Sequence, residues 1–134
     1  MQLWKRLYGT VWLAFFSCVI LPRWTGSKIG LLAHVVLGLA LLGITLSNAR
    51  SLQALPVPGR LKRISRVTAG FAIFQVVCGL AFGMGMSLMP AAMPALRIAH
   101  FVCALAILAQ SSSVATAYDM WEEKEFQEAP RQQA

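Results

Sequence analysis

The apolar positions of the chain gather into four runs, residues 7–21, 29–48, 67–89 and 95–118, and most of the charged positions fall between or beyond them. A hydrocarbon core of about 30 Å takes about 20 helical residues at about 1.5 Å rise each, so the runs predict four membrane-spanning helices. The first run is the shortest, and it can begin as early as Trp4. The break at residues 22–28 is too short for anything but an antiparallel helix hairpin. The next break carries Pro56 and Pro58, which stop a helix, and Pro90 and Pro94 bracket the last turn. The expected fold class is all-α: an integral membrane antiparallel four-helix bundle, up-down-up-down, in a single domain. Residues 49–66 are expected as its cytoplasmic linker and residues 122–134 as a flexible tail.

Composition supports the membrane reading. Hydrophobic residues make up 57% and charged residues only 13%, against about 25% charged in a soluble domain. The net charge of +7 raises nucleic acid as a partner, but its distribution argues otherwise. Of the 12 basic residues, Lys5, Arg6, Arg50, Arg60, Lys62, Arg63, Arg66, Lys124 and Arg131 fall at the two termini and the central break. Arg23, Lys28 and Arg97 fall at the other two breaks. With four spans the larger group lies on one face, which the positive-inside rule assigns to the cytoplasm together with both termini. The charge is thus a topology signal with some attraction to anionic lipid, and no stacking aromatics interleave with it. Lys5 and Arg6 before an apolar run resemble a signal peptide, but Cys18-Val19-Ile20-Leu21-Pro22 offers no small-residue cleavage site, so the run reads as a retained helix. Cys18, Cys78 and Cys103 fall singly within the runs and suggest neither a disulfide nor a zinc site.

The chemistry rests on His34 and His100, the only two histidines. Each lies near the start of its run, the second and the fourth, and these two helices run parallel in an up-and-down bundle. Both imidazoles therefore reach the same depth near the outer face, the arrangement that two axial ligands of one planar haem require. An ionisable side chain within a span marks a functional site by default. Gly30 and Gly38 flank His34 at four residues on either side and clear a flat patch. Gly79 and Gly83 share one face of the third helix with Gln75, and Cys103 and Ala104 beside His100 are small. Arg97 precedes His100 by one turn, and with Arg23 and Lys28 it offers cations to haem propionates. The structural alternative is that the histidines are hydrogen-bonding struts, Gly79-x-x-x-Gly83 a helix-packing motif and Arg97 a snorkelling side chain. Met84, Met86, Met89 and Met93 have copper-binding character, but no His or Cys cluster accompanies them.

His34, Gln75-x-x-x-Gly79 and His100, spread over helices two to four, resemble the four-helix half-module of the haem A synthase family. The resemblance covers about residues 7–118 and implies a haem held between His34 and His100 toward the outer face, with Gln75 and Gly79 as a third-helix signature. The catalytic half of that family carries a glutamate where this chain has Leu31, and an arginine often stands where it has Val35. Some members have a cysteine pair in the first outer loop, where residues 22–28 hold none. No acidic residue falls in any predicted span, so the chain resembles the haem-holding half rather than the reacting half. The expected function is a plasma-membrane b-type cytochrome subunit holding one haem b and relaying electrons within a respiratory or related redox complex, or as a homodimer. Quinone is a conceivable further partner, and nucleic acid is not. The alternatives are a cofactor-free accessory subunit and a haem-modifying enzyme.

Overall fold

The computed structural model describes residues 2–20, 26–83 and 90–128. They form four helices: α1 (Leu3–Phe15), α2 (Lys28–Ala54), α3 (Gly59–Gly83) and α4 (Met93–Glu128). A π-helical turn, Phe16–Ile20, prolongs α1, and a 3-10 turn, Pro90–Ala92, leads into α4. No strand occurs among the described residues. The fold is all-α, as the runs predict. Lys28–Ala54, Gly59–Phe82 and Met93–Glu125 are each long and apolar enough to cross a membrane. The first helix does not reach that length and hydropathy, so three candidate spans stand where the sequence suggests four.

The helices also run past the apolar stretches. The expected linker of residues 49–66 is mostly helix: α2 continues to Ala54, α3 begins at Gly59, and only residues 55–58 connect them. Apolar runs measure the greasy part of a helix, whereas its ends are set by backbone chemistry. Ser27 caps α2 by accepting the Gly30 N–H at 2.9 Å. At the other end Leu55 is extended, as a residue before proline prefers. The Pro58 carbonyl then accepts the Leu61 N–H at 3.0 Å and starts α3. The expected flexible tail is likewise helical as far as Glu128, and residues 129–134 lie outside the described residues.

Each helix packs on two neighbours in the ring α1–α2–α3–α4, and the diagonal pairs make no close backbone contact among the described residues. Three layers fill the interior, and their residue numbers rise along α1 and α3 while falling along α2 and α4, so consecutive helices are antiparallel. The layer at the end where α2 turns into α3, the closed end, is apolar: Leu7, Leu52, Val57, Leu61, Val114, Ala115 and Tyr118. Next comes a buried polar layer of Thr10, Thr45, Asn48, Ser65, Thr68 and Ser111. Asn48 donates to the Thr10 hydroxyl at 2.8 Å, which donates to the Arg6 carbonyl at 2.7 Å. The Thr68 hydroxyl donates to Gln110 Oε1 at 2.8 Å, and the Arg6 guanidinium donates to Ser47 at 2.9 Å and Ser51 at 2.6 Å. A third layer of Ala14, Leu41, Ala72 and Ile107 is apolar again. Above it the bundle opens.

Candidate functional site

His34 projects from α2 and His100 from α4, helices that face each other across the diagonal. Their ring centroids nevertheless lie 6.3 Å apart, with the planes inclined at 50°. The two imidazoles thus span the bundle where its backbones are too far apart to touch. Each is partly buried, and each has its Nδ1 buried without a hydrogen-bond partner. Phe82 of α3 meets the His100 ring edge-on, at 5.5 Å and 74°, which restricts the rotation of that ring.

The pair lines a cavity of about 1120 Å³, measured out to its open mouth. Ala14, Leu41, Ala72 and Ile107 line it as well, so the third core layer is its floor. Gly38 and Gly79 sit in the walls, and a Cβ placed on either would meet nothing within 4 Å. Their missing side chains leave space that no other part of the described protein takes up. Gln75 adds a buried Oε1 without a partner, and Ser17 a buried hydroxyl without one. The π-helical turn brings Ser17 and Cys18 to this wall, a local widening of the helix that recurs at functional sites.

Of the residues singled out in the sequence, the structure brings together His34, His100, Gly38, Gln75, Gly79 and Ala104. Gly30 lies apart: it is buried in the first turn of α2 with its N–H held by Ser27, because a four-residue step toward the helix start also moves it along the axis. Lys28 and Arg97 are exposed near the starts of α2 and α4 and do not line the cavity. Gly83 ends α3, and its surroundings fall outside the described residues, as do Arg23, Met84, Met86 and Met89. Sequence reasoning passed over Ser17, Phe82 and the cavity floor.

Among the described residues no group of three or more His, Cys, Asp or Glu side chains could hold a metal ion. The facing imidazoles of His34 and His100 are too few for a closed tetrahedral zinc site. A second, much smaller space lies in the polar layer, lined by Thr10, Thr45, Asn48, Ser65, Thr68 and Ser111 among others. Asn48 Oδ1 and Ser111 Oγ are buried there without partners, and the space suits about one water that accepts from one and donates to the other. No protein-family model matches this chain, and neither does any curated protein or solved structure.

Proposed function

We propose that the protein is a membrane-embedded b-type cytochrome subunit that holds one haem b between His34 and His100. The observation that carries this reading is the 6.3 Å separation of the two rings. Two metal–imidazole bonds of about 2 Å each, plus roughly 1 Å from each ring centre to its ligating nitrogen, give a separation of about 6 Å. The glycine-lined cavity supplies room for a flat macrocycle beside the pair. The haem, when bound, supplies one-electron oxidation and reduction at its iron.

The protein's residues do the rest. His34 and His100 would both hold the haem iron, and two histidine ligands would favour electron transfer over oxygen chemistry. Phe82 fixes the His100 ring. Leu41 and Ile107 close the floor and keep water from the polar layer out of the site. Lys28 and Arg97, near the starts of α2 and α4, suit the propionate edge. The strut reading predicts imidazoles hydrogen-bonded to a neighbouring helix, whereas both Nδ1 atoms lack a partner. Haem modification is disfavoured by Leu31, which is exposed and apart from the cavity lining, and by the absence of any acidic residue from that lining.

In this reading all four helices cross the membrane, α1 assisted by its π-helical turn. The nine basic residues and both termini then face the cytoplasm, and the haem lies toward the outer face. The subunit works inside a larger redox complex or as a homodimer, an arrangement that the half-module likeness to the haem A synthase family fits. The test is the visible spectrum of the purified protein from haem-replete cells, with a pyridine haemochrome assay. A Soret band and a reduced α-band of protohaem are expected. A colourless, stably folded preparation would end the proposal.

A further inference from the structure

The cavity has a side opening, and the helix register identifies it. On α2 the residues just before the inward-facing stripe, Ser47 and Ser51, bond to Arg6 of α1. The residue just after it, Gln53, bonds to α3: its amide donates to the Lys62 carbonyl at 3.0 Å, and the Lys62 ammonium donates to the Gln53 carbonyl at 3.2 Å. Lys62 in turn follows the inward Leu61. The two flanks that follow the inward stripes of α2 and α3 therefore face each other. At the closed end the Gln53–Lys62 pair ties them together.

At the open end the same flanks carry Val35 and Leu39 on α2 and Val76 and Leu80 on α3. All four line the cavity. Val35, Leu39 and Leu80 are also 48%, 52% and 60% exposed. A side chain that is both cavity wall and bundle surface is the lip of an opening. Across the other three seams no such facing pair lines the cavity among the described residues. Directly behind the lips stand Gly38 and Gly79, with nothing within 4 Å of a would-be Cβ.

We propose that the α2–α3 seam is a lateral portal through which the histidine cavity takes up its occupant from the bilayer. Apolar lips cost nothing against acyl chains, and they admit a flat, lipid-soluble molecule edge-on toward the imidazoles. The identity of the occupant as haem rests on the functional reading above; the position of the portal rests on the lips.

The experiment follows the growth of the Soret band when hemin is added to haem-free protein in lipid nanodiscs. Leu39→Trp/Leu80→Trp narrows the lips and is expected to slow uptake about tenfold, as roughly 1.4 kcal/mol on the barrier would. Leu39→Ala/Leu80→Ala widens them and is expected to speed uptake. The comparison is of rates at equal occupancy, and Val36→Trp/Val102→Trp, exposed but away from the cavity lining, should leave both rate and final amplitude unchanged. If the tryptophan pair blocks binding outright, the alanine pair decides. Unchanged rates in the alanine pair would overturn the portal while leaving the haem reading intact. If the parent protein takes up no hemin, both proposals fall.

Discussion

The two halves of this bundle solve opposite problems with the same four helices. In the closed half the inward positions pack around one small space beside Asn48 and Ser111: Leu52 is fully buried, and Asn48, Thr10, Arg6, Ser47 and Ser51 link α1 to α2 by hydrogen bonds. In the open half Gly38, Gly79, Ala104 and the two imidazoles line the interior, and His34 Nδ1, His100 Nδ1, Gln75 Oε1 and Ser17 Oγ are buried without partners among the described residues. A buried polar group without a partner costs about 1–3 kcal/mol. The hydrogen bonds between helices gather in the closed half, where most of the stability is expected to reside. The layer of Ala14, Leu41, Ala72 and Ile107 separates them, so polar chemistry in one half does not leak into the other.

That contrast breaks most sharply at the histidines. His34→Ala and His100→Ala should each abolish the Soret band of purified protein while leaving helical circular dichroism intact; a band that survives in both variants would remove the axial pair. Gly79→Leu should come next. Its side chain enters free space, so the protein should fold and melt no lower than the parent, since glycine costs a helix about 1 kcal/mol. Haem content should nevertheless fall to a small fraction, and full occupancy in this variant would show that the cavity is not the site.

Substitutions in the closed half should do the reverse. Leu52→Ala should lower stability by about 2–3 kcal/mol, in the lower part of the range for such truncations because lipid already solvates apolar surface. The visible spectrum should keep its shape, and the loss is read from thermal unfolding in detergent. Asn48→Ala removes the bond to Thr10 and should cost about 1 kcal/mol, again with the spectrum unaltered. A spectral change in either variant would show that the two halves are coupled and that the apolar floor does not insulate them.

Much of this was legible in the chain. The apolar runs give four helices and their antiparallel order, because a helix hairpin follows directly from a short break. The matched positions of His34 and His100 near the starts of the second and fourth runs bring the two rings to one level. Helix ends were harder to read. Residues 49–54 and 59–66 are polar enough to read as linker, yet the helical hydrogen-bond ladder passes through them until Pro56 interrupts it. The first helix was read as a span on its apolar composition, and it proves shorter than the others. Gly30 was placed beside His34 by counting one turn, but that turn carries it along the axis to the first turn of α2, away from the cavity lining.

The sequence by itself determined which segments are helical, which neighbours run antiparallel, and that two ionisable rings stand at one depth in apolar surroundings. These follow from local periodicity and chain connectivity, which a linear pattern carries in full. Only the tertiary structure decided that the rings come within 6.3 Å across a diagonal whose backbones do not touch. It also decided that Gly38 and Gly79 line the cavity while Gly30 does not. Those facts depend on the rotation of each helix about its own axis. That rotation is set by packing of the polar and apolar layers at the closed end, and no single helix encodes it.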